Sequence, residues 1–151
     1  MTVGYILLFI FMLFSDIVSK NVVSHFFEVG EGVPVIKDVF HITYVRNFGA
    51  AFSMLSGYTW IISAVTAMLL IGIAVYIIVK KPKSHTILLS LTMILAGGTG
   101  KLYDRLKFGY VRDFFDARII NFAVFNVADI FVVVGTALLA VYLLFFDGKK
   151  E

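Results

Sequence analysis

The sequence predicts a membrane α-helical protein: a four-helix transmembrane bundle with a small strand-forming segment and a second, interfacial connection outside the lipid. Three observations predict it. Hydrophobic residues make up 60% of the 151-residue chain and mean hydropathy is +0.96, whereas soluble domains run nearer half apolar. Four segments reach the length of about 20 largely apolar residues that a helix needs to cross hydrocarbon. The unusual polar residues gather at one end of those segments. With no internal repeat, low-complexity tract or linker, one compact unit is expected.

The first span covers residues 3–23 and is interrupted only by Asp16 and Lys20. It has no basic n-region, and those two charges stand where a signal peptide would carry small cleavage-site residues, so an uncleaved span is expected. The second, 58–79, contains no charge, and KKPK follows with Pro82 ending the helix. The third, 86–103, becomes Gly-rich at Gly97, Gly98 and Gly100; the fourth, 128–146, precedes the polar tail DGKKE. In residues 33–47, VPVIKDVFHITYVRN, the apolar Phe40, Ile42 and Tyr44 alternate against His41, Thr43 and Arg46, a strand pattern. The connection RLKFGYVRDFFDARIINFAVFN mixes aromatics with charges and reads as a segment lying at the interface.

Four antiparallel spans put both termini on one side. The same topology sends Asp16, Lys20, Asn47, Lys101, Asp104, Arg105, Asn126 and Asp129 toward the opposite face. Charges at membrane depth cost about a few kcal/mol each and normally face a bundle interior, so their grouping reads as a polar site built at one leaflet. Charge counts leave the orientation open. KKPK and the tail hold five Lys, and the other side holds eight Lys or Arg, while the positive-inside rule gives short loops such as KKPK more weight.

The chain has no Cys, which excludes disulfides, thiolate chemistry, Cys-ligated metals and acylation of the chain itself. A net charge of +3, scattered along the chain, gives no case for nucleic acid. His25, His41 and His85 are dispersed, so neither a His-based metal site nor a Ser–His arrangement is expected. GGTG, residues 97–100, follows no strand and has neither phosphate-loop nor dinucleotide spacing; small residues that let helices pack closely explain it better. Asp16 and Lys20, four apart on one helix face, read first as an ion pair and second as chemistry. Asn47, ahead of the small residues Gly49, Ala50 and Ala51, suits either a grip on an extended peptide backbone or a helix cap.

Carboxylates are then the available acid–base groups: Asp104, Asp113, Asp116 and Asp129, with Arg105 among them. Two facing carboxyls share a proton because adjacent like charges resist ionising together. One then activates water while the other polarises a carbonyl or protonates a leaving amine, and no metal or cofactor is required. Chemistry alone leaves open which two meet. It also leaves open a carboxylate enzyme, a small ion- or proton-coupled transporter, and a structural or assembly protein.

The motifs DIVSK, RNFGAAFS, GGTGKLYDRLKFGYVRDFFD and FNVAD, in that order and at those positions in a four-span chain, resemble lipoprotein signal peptidase, the type II signal peptidase of bacteria. The resemblance covers nearly the whole chain. It implies a membrane aspartic endopeptidase, without cofactor or metal, that removes the signal peptide from diacylglyceryl-modified prolipoproteins just before the lipidated Cys. It further implies a multi-pass protein of the bacterial cytoplasmic membrane, expected as a monomer in contact with membrane lipid, with termini inside and the site at the extracytoplasmic face. Residues 33–47 would correspond to a small extracytoplasmic β-sheet that cradles substrate.

Carried over by motif, Asp113 and Asp129 are the expected catalytic residues. Asp104 is expected to support them at the site's edge with Arg105, while Asn47 and Arg105 hold substrate backbone. Asn126 is expected to orient Asp129, and Asp16 with Lys20 to form a structural pair. Two positions depart from the family pattern, which has Asn at Lys101 and a small apolar residue at Arg112. Two added cations beside the pair would lower its pKa values and favour ionisation, against proton sharing. The favoured reading is the alternative, that Lys101 points to lipid headgroups and Arg112 faces water.

Overall fold

The computed structural model describes residues 2–49, 57–120 and 122–146. Four helices, α1 (Thr2–Phe26), α2 (Thr59–Lys80), α3 (His85–Phe108) and α4 (Val127–Phe145), are each long and apolar enough to cross a membrane. They follow the apolar spans closely at every end but one. α3 continues past Tyr103 because Asp104 and Arg105, which would end an apolar span, are buried and partnered inside the bundle. It stops at Gly109, whose φ of 81° makes the left-handed cap that glycine adopts without strain.

α3 is the central helix. It packs against α4, α1 and α2, and α1 also touches α4. Close approach to α4 depends on small residues. A Cβ on Gly97 would collide with the Ala128 carbonyl oxygen, and one on Gly135 would sit 2.8 Å from the Ser90 carbonyl oxygen. At Gly100 the space is filled by the Asp16 carboxylate. GGTG is thus a helix-packing surface.

The bundle has its polarity inside out. Asp16, Lys20, Ser90, Asp104 and Asn126 are fully buried, whereas Leu7, Phe11, Leu69, Ile71, Val133 and Leu144 face outward. Hydrocarbon demands that arrangement: apolar side chains cost nothing against lipid tails, and charges turn to one another.

Outside the helices lies a three-stranded antiparallel sheet, ordered β1 (Gly32–Ile36), β2 (Phe40–Asn47), β3 (Val111–Ala117). The alternating segment forms the hairpin β1–β2. The connection after α3, read from sequence as interfacial, supplies β3, which lies against β2 with Val45 opposite Asp113 and Asn47 opposite Val111. Four successive β3 residues, Val111 to Phe114, are buried. Both faces of this strand are covered, so it lacks the half-buried alternation that marks β2. A 3₁₀ turn at Arg118–Ile120 sends the chain back, and Phe125 bridges to Phe115. Val23, Tyr44 and Phe114 form a small apolar core that seats the sheet on the end of α1.

Candidate active site

Strand geometry decides what the 112–113 pair does. Successive side chains on a strand point to opposite faces. Asp113, 3% exposed, therefore turns to one side of β3 and Arg112, also 3% exposed, to the other.

On the Asp113 side both carboxylate oxygens are held. Asn126 Nδ2 donates to Oδ1 at 2.6 Å, and Asn47 Nδ2 donates to Oδ2 at 3.0 Å. Asn47 closes β2, and its own Oδ1 accepts the Gly49 N–H at 3.0 Å. The N-cap of α2 is Tyr58, so Asn47 is no helix cap. The neighbouring Ala50 and Ala51 lie outside the described residues.

Asn126 carries two duties. It is the N-cap of α4 in a capping box: its Oδ1 accepts the Asp129 N–H at 3.0 Å, and Asp129 Oδ2 accepts the Asn126 N–H at 3.2 Å. Its remaining amide hydrogens reach Asp113 and the Arg112 carbonyl. One amide thus ties Asp113 on β3 to Asp129 on α4. Asn126→Ala is expected to lower stability by about 1–2 kcal/mol through the lost cap, measurable by thermal unfolding in detergent.

Asp113, Asp129, Asn47, Lys101 and Arg105 line one cleft of about 450 Å³ whose other walls are apolar, including Ile62, Phe122, Phe125 and Val133. Burial pushes the Asp113 carboxyl up from 3.8 to about 6, and the Asp129 charge pushes the same way. The Asn47 amide and the charges of Lys101 and Lys20 pull against that rise. Asp129 is more open, its side chain 28% exposed. Asp116 takes no part: it bonds to Arg118 and Thr43 on the sheet.

Two expectations are corrected here. Lys101 does not reach for headgroups, because its ammonium is paired with Asp129 Oδ1. Arg112 does not face water. It donates to Asp104 through Nη2 at 2.8 Å and to Asn21 Oδ1 through Nη1 at 2.7 Å, and lies over the Phe108 ring. The partner for each cation lies on another element, Asp129 on α4 for Lys101 and Asp104 on α3 with Asn21 on α1 for Arg112, a pairing that the sequence does not reveal.

Asp104 belongs with Arg112 in a network behind the sheet. Lys20 Nζ lies 2.7 Å from Asp16 and 3.4 Å from Asp104, all three fully buried. Asp16 Oδ1 accepts the Ala128 N–H at 2.9 Å, so α1 also caps the first turn of α4. Arg105, next to Asp104, instead faces the cleft and donates to the Gly49 carbonyl oxygen at 2.9 Å. Among the described residues, no three His, Asp or Glu side chains gather as a metal-binding group.

A family model, Signal peptidase (SPase) II, matches residues 8–145. The chain belongs to the signal peptidase II family. A lipoprotein signal peptidase of Clostridioides difficile is 41% identical over 148 residues, 97% of this chain and 99% of that one. Another, of Clostridium acetobutylicum, is 44% identical over 124 residues, 80% of each chain. Among solved structures, a bacterial membrane enzyme superposes with a TM-score of 0.91 at 29% identity, covering 98% of this chain and 92% of that one. The signal peptidase II fold is therefore a membrane-embedded peptidase of bacterial type, its four apolar helices joined to the small sheet.

Proposed function

We propose that this signal peptidase II is an aspartic endopeptidase that removes the signal peptide from diacylglyceryl-modified prolipoproteins, using Asp113 and Asp129 as a proton-sharing pair. The observation that carries the reading is the single cleft holding both carboxyls, tied through Asn126. An Asp113 carboxyl pushed up to about 6 supports one proton shared between them at mildly acidic pH, with a falling share of it at neutral pH.

In the reaction, one carboxylate takes a proton from water as its oxygen attacks the scissile carbonyl carbon. The protonated partner gives its proton to the carbonyl oxygen, forming a tetrahedral diol. Collapse returns a proton to the leaving nitrogen, breaks the C–N bond and restores the shared proton. The products are the signal peptide with a new carboxyl terminus and a lipoprotein starting at the free amine of its lipidated Cys. Asn47 orients Asp113, and Arg105 meets substrate backbone from the cleft wall. The apolar walls suit a signal peptide, and the lipid-facing exterior suits a substrate whose acyl chains never leave the bilayer.

The protein acts as a monomer in the bacterial cytoplasmic membrane, with termini in the cytoplasm and the cleft at the outer face. The short basic KKPK loop supports that orientation. Purified protein in detergent is expected to release the signal peptide from a diacylglyceryl prolipoprotein and to leave the unlipidated precursor intact. No release from the lipidated substrate, combined with ion flux after reconstitution into liposomes, would overturn the reading in favour of a transporter.

A further inference from the structure

Lys101 and Arg105 are four apart on α3 and share the face that lines the cleft. Arg105 is committed to the Gly49 carbonyl. Lys101 is committed to Asp129, both side chains about a quarter exposed, at 25% and 28%. Behind the sheet, the charges of Asp16, Lys20, Asp104 and Arg112 cancel. The cleft then holds two acids and two cations. With one proton shared between the acids it carries a net positive charge, and without that proton it is neutral. In a site of low dielectric, neutrality is favoured.

We propose that Lys101 is a positioning residue that divides the labour of the pair: its ion pair keeps Asp129 as the carboxylate that takes the proton from water, leaves the shared proton on buried Asp113, and sets the alkaline edge of the working range. The inference rests on the carboxyl-pair reading given above. Asp113 is faced by Asp129 from α4, by Lys101 and Arg105 from α3 and by the neutral Asn47 amide from β2, and Lys20 of α1 also acts on it. Of these, Lys101 is the cation bonded to the second carboxylate. Removing its charge favours retention of the proton on Asp113, so activity persists to higher pH.

The test is the pH–rate profile for cleavage of a diacylglyceryl prolipoprotein by wild type, Lys101→Asn, Lys101→Gln and Lys101→Arg. The two neutral variants are expected to move the alkaline limb up by about one pH unit, within the usual reach of a nearby opposite charge. Lys101→Arg leaves the limb where it is. Infrared titration of the protonated-carboxyl stretch supplies a readout independent of turnover: the band disappears in Asp113→Asn, and its midpoint rises in Lys101→Asn. A lower rate with limb and midpoint unmoved would make Lys101 merely structural and overturn the proposal. If wild type fails to cleave, the peptidase reading fails, while the infrared midpoint still decides whether Lys101 controls the proton.

Discussion

Asp113→Asn and Asp129→Asn are each expected to lower cleavage of a lipidated prolipoprotein by about 10³-fold, with the fold retained. Asn has the shape of Asp but neither accepts a proton from water nor delivers one to a carbonyl. At position 113 the amide oxygen can accept from Asn126 or from Asn47 but not from both, so one hydrogen bond is lost, and at 129 its oxygen can still accept the Asn126 N–H. The structural loss is therefore small and the chemical loss large. Turnover per folded molecule, checked beside thermal unfolding in detergent, separates the two. Wild-type turnover in either variant would sink the assignment. Asp104→Asn supplies the contrast: Asp104 meets Lys20 and Arg112 behind the sheet, so its replacement should act mainly on stability. Full loss of activity there with activity kept in Asp113→Asn would transfer the catalytic role.

The second large effect is expected at Lys20, which stands between Asp16 and Asp104 with all three fully buried. Lys20→Met leaves the Asp16 carboxylate buried without a cation beside Asp104, which keeps only Arg112. Breaking a buried pair in this way costs about 3–5 kcal/mol, far more than deleting an exposed ion pair. The half-exposed pair of Arg118 with Asp116 offers the comparison, and Arg118→Met is expected to cost less than about 1 kcal/mol. Denaturation of both variants in the same detergent tests the difference. A Lys20→Met protein as stable as wild type would mean that the network is not what holds α1 to α3.

Much of this architecture was legible in the sequence because lipid imposes a simple rule. A run of apolar residues long enough to cross has few alternatives, so all four helices could be placed within a few residues, and the alternation in 40–46 showed β2. Topology alone brought Asp16, Lys20, Asp104, Asn126 and Asp129 to one end. β3 stayed hidden because its charged residues are buried on both faces, which breaks the pattern that exposes a half-buried strand. The orientations of Lys101 and Arg112 stayed hidden for a related reason. A cation read alone is assigned to water or headgroups, whereas here each meets an acid on another element: Asp129 across 28 residues for Lys101, and Asp104 for Arg112. The family resemblance alone suggested that Asn126 orients Asp129, and the structure makes Asn126 the N-cap of α4, bonded to the Asp129 N–H. Its second bond, to Asp113, required knowing where β3 runs.

The capping of α4 bears on how such an enzyme comes into being in a cell. The first turn of that helix is secured by Asn126 from within and by Asp16 from α1, and the same Asn126 holds Asp113. Until the last helix docks beside the first, Asp113 has lost one of its holders and Asp129 has no fixed place. If Asp113 and Asp129 are the catalytic pair proposed above, a chain whose α4 has not docked lacks it. On the proposed mechanism, hydrolytic capacity therefore depends on the docking of α4 against α1, and the seating of one helix doubles as the switch that completes the site.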